Sequence, residues 1–137
     1  MENNNEIRNH YVSARVRKDE RPVFPKRAVI TAGMPYGNKE LHFGHVGGMF
    51  VHADTFARFM KDRIGKDNVI FVSGTDCYGS PIMEGFRKKK ENEGYDKTIE
   101  DYVMANHVKQ HETLEKYEIT PDLYAASAIG RAAQIHE

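Results

Sequence analysis

Apolar residues along the chain alternate between short runs of strand length and a longer helical pattern. Residues 28–32 and 69–72 are apolar and rich in β-branched side chains, which is typical of buried strands. Between them, apolar residues recur at helical spacing from about Phe43 to a glycine stop at Gly65. This helical face comprises Val46, Met49, Phe50, Ala53, Ala57, Met60 and Ile64. The pattern predicts a strand, a turn-rich loop, a helix and a second strand.

The second half of the chain continues with helical patterns. Pro81 suits the first turn of a helix, with Ser80 as its cap. Thr98 opens a capping-box sequence before an amphipathic helix of about five turns. Residues 123–125 predict a short strand, and Ser127 is a candidate cap for a last helix. The order predicts an α/β fold, half of a doubly wound sheet with parallel strands and flanking helices.

Composition narrows the class of protein. The 137 residues suit one domain, and equal numbers of basic and acidic residues produce no overall positive field for nucleic acid. Cys77 is the only cysteine, which favours a reducing, cytoplasmic setting. No apolar run approaches the roughly 18 residues of a membrane span. Residues 1–26 predict a polar N-terminal extension, and 27–137 the folded domain.

Candidate chemistry lies in the loops that follow the two strands. His42 and His45 stand where the first loop meets the helix, whose positive end suits a phosphate group. Equally, these two histidines could cap the helix and pack locally. Asp76 follows the second strand and could pair with a substrate ammonium group or close an Asx-turn. His107 and His111 lie four apart, but no third ligand is evident, so we predict no metal site.

Two blocks of sequence carry a family resemblance. PYGN from Pro35 and HFGH from His42 resemble the nucleotide-binding signature of the class I aminoacyl-tRNA synthetases. The similarity is closest to the methionine-specific members, which have Pro-Tyr-Ala-Asn-Gly before their two histidines. The block GTDCYGSPI from Gly74 is similar to their Gly-Thr-Asp-Glu-His-Gly-Thr-Pro-Ile. The resemblance covers the chain from about residue 27 to residue 124, and implies the first half of a Rossmann-like nucleotide-binding domain.

The resemblance implies a ligase reaction. Methionine would attack the α-phosphate of ATP, supplied with Mg²⁺, and the methionyl group would then pass to tRNA. His42 and His45 would be the catalytic hydrogen-bond donors to phosphate. The nucleotide would also meet Pro35, Asn38 and Gly44, and the amino acid would meet Met34, Tyr36 and Asp76.

Departures from the family pattern leave an alternative open. Cys77 and Tyr78 replace an acidic residue and a histidine, and Lys39 replaces a loop glycine. The Lys-Met-Ser-Lys-Ser loop, the zinc-bearing insertion and the anticodon-reading domain do not occur in this sequence. We therefore expect a half-domain that self-associates and is weakly active or inactive alone. The alternative is a non-catalytic paralogue that binds an amino acid, a nucleotide or a protein. A third and narrower hypothesis is a nucleotidyltransferase that shares His-x-Gly-His, but the PYGN and GTD blocks argue against it.

Overall fold

A three-stranded parallel sheet forms the centre of the fold. The computed structural model describes residues 23–136, so most of the predicted 1–26 extension lies outside the described residues. The strands are β1 (Ala28–Thr31), β2 (Val69–Thr75) and β3 (Leu123–Ala126), in the spatial order β1-β2-β3. The α/β class and the parallel strands are thus confirmed, and the three carboxyl ends lie at one edge of the sheet.

Helices connect these strands. The first, α1, opens with an α-helical turn (Phe43–His45), passes through a π-helical turn (Val46–Phe50) and continues as a regular helix (Val51–Ile64). A 3₁₀ turn (Lys66–Asn68) leads into β2. The remaining helices are α2 (Ser80–Glu93), α3 (Ile99–Lys116) and α4 (Arg131–His136). Within the described part of the chain, none of them is both long enough and apolar enough to cross a membrane.

The second strand is longer than the apolar pattern predicted. It continues past Val72 to Thr75, through residues expected to form a turn. Ser73 and Thr75 are buried, and each hydroxyl has a hydrogen-bond partner: Ser73 Oγ donates to the Gly33 carbonyl at 3.0 Å, and Thr75 Oγ1 donates to Gln110 at 2.8 Å. Because these hydrogen bonds compensate for the loss of water, the two polar side chains can be buried on the covered face.

Two of the three predicted helix caps are wrong. Thr98 forms a capping box with Asp101, as predicted, and this starts α3. Ser80, in contrast, is the first residue of α2, and the capping position is occupied by Gly79 in a conformation with φ of 104°. Ser127 lies four residues before the start of α4 at Arg131, and its Oγ instead accepts the Cys77 N–H at 2.9 Å. Both helices are present, as predicted, but neither has the predicted serine at its N-cap.

Among the elements formed by residues 23–136, helices cover one face of the sheet but not the other. The covered face packs Ile30 and Phe71 against Phe50 of α1 and Leu114 of α3 in the main core. A second cluster, formed by Cys77, Ile82, Tyr102, Val103 and Ala126, joins α2 and α3 beyond the carboxyl ends of the strands. On the opposite face, Val29, Ile70 and Leu123 are 70%, 50% and 54% exposed. The fold therefore leaves an apolar sheet face open.

Candidate functional site

The start of α1 is organised by its two histidines. His42 is the N-cap residue, and its Nδ1 accepts the Gly44 N–H at 3.1 Å. In return, His45 Nδ1 accepts the His42 N–H at 3.3 Å, which completes a capping box. The two rings stack with their centroids 3.8 Å apart. The capping role left open by the sequence is therefore present in the structure.

The cap also determines which ring nitrogen of each histidine can donate. A neutral imidazole has one N–H donor and one acceptor nitrogen. Because each Nδ1 accepts a backbone N–H, the proton of the neutral ring is on Nε2. Burial lowers the pKa of His45, and the nearby His42 and Lys39 lower it further, so its neutral form is favoured. Capping thus leaves both Nε2–H groups available to an acceptor such as a phosphate oxygen.

Asp76 and Tyr36 are brought together by backbone pairing. They form an isolated parallel bridge in which Asp76 N donates to the Pro35 carbonyl at 2.9 Å and Gly37 N donates to the Asp76 carbonyl at 2.7 Å. Asp76 Oδ1 accepts the Tyr78 N–H at 3.0 Å, which is the Asx-turn that the sequence left open. The loop after β1 is therefore tied to the carboxyl end of β2.

The other predicted site residues lie along the same loop. Met34 reaches over β2, because a Cβ added at Gly74 would come within 3.2 Å of the Met34 methyl group. Asn38 Nδ2 donates to the Pro81 carbonyl at 3.2 Å, while its Oδ1 is buried without a partner among the described residues. Asn38 and His42 line an open groove of about 630 Å³ whose lining does not include Asp76. The residues thus form two groups joined by the loop: one around Asp76 and one at the start of α1.

Sequence reasoning missed a set of side chains on α3 that hold this loop. Tyr102 Oη lies 2.5 Å, and Asn106 Nδ2 3.0 Å, from carbonyl oxygens of the segment 36–39. Gln110 Nε2 lies 2.9 Å from two more. The three residues are spaced four apart and so project from one side of the helix. The sequence shows the spacing of these three residues but not the burial of Asn106 and Gln110, because their hydrogen-bond partners lie in a distant segment.

His107 belongs to a polar network beneath the loop. Its Nδ1 lies 2.8 Å from Thr75 Oγ1, and its ring stacks on Tyr124 with centroids 5.3 Å apart. Thr75 donates its only hydroxyl proton to Gln110, so the neutral imidazole satisfies the network by donating from Nδ1 to Thr75. Among the described residues no group of three histidine, cysteine or acidic side chains is arranged to hold a metal ion.

Acidification from pH 7.5 to 5.5 is expected to destabilise the fold partly through His107. Burial lowers the pKa of His107 below 6.5, and the neighbouring His111 lowers it further. The unfolded chain therefore binds the proton first, and stability falls as the pH drops below about 6.5. Urea unfolding at several pH values would measure this dependence, and His107→Gln should weaken it. An unchanged pH dependence in that variant would contradict the prediction.

Comparison with known proteins agrees with the resemblance carried by the sequence blocks. A family model described as tRNA synthetases class I (M) matches residues 28–136. The methionine–tRNA ligase of Cytophaga hutchinsonii is 35% identical over 104 residues, which is 76% of this chain. The corresponding ligase of Chlamydia caviae is 35% identical over 74% of the chain, and that of Saccharolobus solfataricus is 38% identical over 72%.

These matches span 14%, 17% and 16% of the relatives' own lengths. The matched region contains both sequence blocks, the whole sheet and the histidine capping box. Fold, motif order and similarity therefore agree, and the chain belongs to the class I tRNA synthetases of the M group.

Proposed function

We propose that this chain is the ATP- and methionine-binding half of a methionine–tRNA ligase catalytic domain. In the complete enzyme, the carboxylate of methionine attacks the α-phosphate of ATP, forming methionyl-adenylate and releasing pyrophosphate. The methionyl group then passes to the terminal ribose of tRNA. The single observation that carries the proposal is the capping box at His42 and His45: each Nδ1 accepts a backbone N–H, and neither Nε2 has a hydrogen-bond partner among the described residues. A cytoplasmic location accompanies this role.

The two histidines would act on the triphosphate. Their Nε2–H donors suit phosphate oxygens of an ATP·Mg²⁺ complex, on which charge builds during attack at the α-phosphorus. Because the capping box fixes both rings before the nucleotide arrives, little reorganisation accompanies the reaction. Losing one such preorganised donor typically costs about 10²- to 10³-fold in rate. Gly44 supports this role because it carries no side chain between the two rings and the nucleotide.

Asp76 would hold the ammonium group of methionine. Its Oδ1 accepts the Tyr78 N–H, and its second oxygen, which has no hydrogen-bond partner among the described residues, would accept from the ammonium group. The bridge pairs the backbone of Tyr36 with that of Asp76, and the Tyr36 ring would cover the thioether of the bound methionine. By the family resemblance, the backbone carbonyl of Met34, whose side chain lies over Gly74, would accept from the same ammonium group.

The substitution Asp76→Asn separates the two roles of this residue. Asparagine keeps the oxygen that closes the Asx-turn but removes the negative charge. We expect the affinity for L-methionine to fall about 10- to 100-fold while the melting temperature of the free chain stays the same. Calorimetric titration would measure the affinity, with 4-(methylthio)butanoate, which lacks the ammonium group, as the matched ligand. An equal loss of affinity for both ligands, or no loss of affinity for methionine, would contradict the assignment of Asp76 to the ammonium group.

His42→Asn makes the corresponding test at the nucleotide end. Asparagine is a favoured N-cap residue, so the start of α1 should persist while the ring donor is lost. We expect weaker binding of ATP·Mg²⁺ with little change in the melting temperature. Phe43→Ala, beside it but 83% exposed, is the control and should leave ATP binding unchanged. We expect the isolated chain to bind both ligands with weak or no ATP–pyrophosphate exchange. Binding of neither ligand to the unsubstituted chain would refute the proposed function.

We also propose that the isolated chain self-associates with a second copy through the open sheet face. Val29, Ile70 and Leu123 lie on three neighbouring strands and expose an apolar surface. Ile70→Lys places a charge in the central strand and should return the chain to its monomer mass of 15.7 kDa in light scattering. Val108→Lys, on exposed α3 surface, is the control. A monomeric unsubstituted chain at all concentrations would contradict this proposal.

A further inference from the structure

The amide of Gln110 joins two parts of the site from inside the protein. Its side chain projects from α3 and is fully buried. Nε2 donates to the carbonyl oxygens of Tyr36 and Lys39, each at 2.9 Å. Oε1 accepts from Thr75 Oγ1 at 2.8 Å and from Tyr124 Oη at 3.1 Å. Two donors and two acceptor positions are all that a glutamine amide offers, so its hydrogen-bonding capacity is completely used.

These four partners belong to different elements. Tyr36 and Lys39 lie in the loop that leads to His42, whereas Thr75 ends β2 immediately before Asp76. Tyr124 lies on β3 and contacts the same amide oxygen. The Gln110 side chain therefore hydrogen-bonds both to the loop that precedes the histidines and to the strand that presents the carboxylate. Backbone pairing ties the loop to β2 at the bridge between Tyr36 and Asp76. Beyond that bridge, side chains of α3 and the Asn38 amide hold the loop.

We propose that Gln110 is a positioning residue that fixes the loop 36–39 against the carboxyl end of β2 and so sets the spacing of the methionine and ATP subsites. The proposal rests on the proposed function, because it assigns those two ligands to the loop and to Asp76. Gln110 touches neither ligand in this assignment. Its effect passes through the carbonyl oxygens of Tyr36 and Lys39 and through the Thr75 hydroxyl.

Gln110→Met is the direct test, because methionine has a similar length and volume but neither donates nor accepts strongly at that position. The loop carbonyls and the Thr75 hydroxyl lose their shared partner, so the loop should shift or loosen. We expect the affinities for L-methionine and ATP·Mg²⁺ at 10 °C to fall by about 10-fold or more, since small displacements of positioning groups cost up to about 10²-fold. In the unsubstituted chain, the backbone N–H of Gly37 donates to the Asp76 carbonyl. In Gln110→Met, this N–H should exchange with solvent at least about 10-fold faster.

Leu114→Val is the matched control. Leu114 is also fully buried and lies one turn further along α3, but it contacts the main core rather than the loop. It should lower the melting temperature while leaving both ligand affinities and Gly37 exchange measured at 10 °C unchanged. A merely structural role for Gln110 would make the two variants behave alike.

The two proposals fail in different ways. If the unsubstituted chain binds both ligands and Gln110→Met binds them equally well, the positioning role is wrong and the proposed function stands. If the unsubstituted chain binds neither ligand, the proposed function fails, and Gly37 exchange alone decides whether Gln110 fixes the loop. If Gln110→Met does not fold, Gln110→Glu is the second variant, since it keeps the size and the acceptor oxygens but loses both amide donors. Unchanged Gly37 exchange in every folded variant would overturn the proposal.

Discussion

The free energy of unfolding is expected to fall by about 4 kcal/mol when Phe50 is replaced by alanine. Phe50 is fully buried in the π-helical turn of α1 and packs in the cluster that contains Ile30, Phe71 and Leu114. Its removal leaves a ring-sized cavity between the helix and the covered face of the sheet. Equilibrium unfolding in urea, followed by circular dichroism, would measure the loss.

Phe43→Ala is the control for this prediction. Phe43 lies on the same helix, but 83% of its surface is exposed, so the change should stay within about 0.5 kcal/mol. If Phe50→Ala does not fold, Phe50→Leu should still show a loss of about 1–1.5 kcal/mol. Similar effects for Phe43→Ala and Phe50→Ala would contradict the position of the core.

Gly74→Ala is expected to lower the free energy of unfolding by about 3 kcal/mol. Gly74 lies in β2 opposite Ala125 of β3, and an added Cβ would overlap the backbone carbonyl oxygen of Ala125. A backbone atom in a paired strand cannot move away as the end of a flexible side chain can. The added methyl group should therefore separate β3 from β2 beside Asp76, and the affinity for L-methionine should fall as well.

Gly48→Ala tests the same change where space is available. A Cβ added at Gly48, in the π-helical turn of α1, meets no atom within 4 Å. Because alanine loses less backbone entropy on folding, this variant should be neutral or up to about 1 kcal/mol more stable. Thermal and urea unfolding of the two alanine variants would make the comparison. Equal changes in the free energy of unfolding for Gly48→Ala and Gly74→Ala would contradict the close approach of β3 to Gly74.

The sequence was sufficient to predict those parts of the site that depend only on residues close together along the chain. The strand before the loop and the apolar face of α1 depend on periodicity, and Gly65 and Thr98 mark helix ends through backbone conformation and capping. The placement of His42 and His45 at the start of α1 is of the same kind, since it depends on residues three apart. The sequence left two roles open for these histidines, and the capping box occupies Nδ1 while leaving Nε2 for the other role.

The contacts of α3 could not be predicted in the same way. The apolar periodicity of this segment predicts that Val108 and Tyr117 face the core, yet they are 46% and 60% exposed. Asn106 and Gln110 are buried instead, because loop carbonyls more than 60 residues away in sequence supply their hydrogen-bond partners. A buried amide is stable only where such partners exist, and sequence spacing within one helix does not reveal them.

The sequence by itself determined the alternation of strands and helices, the class I synthetase signature and the position of its histidines, because each depends on residues close together along the chain. Only the tertiary structure decided that β2 extends to Thr75, that Asp76 pairs with Tyr36, and that Gln110 joins the loop to the sheet. These features depend on polar groups from distant segments meeting where water is excluded. There, a hydrogen bond left unmade costs more than the local preference of any one residue supplies.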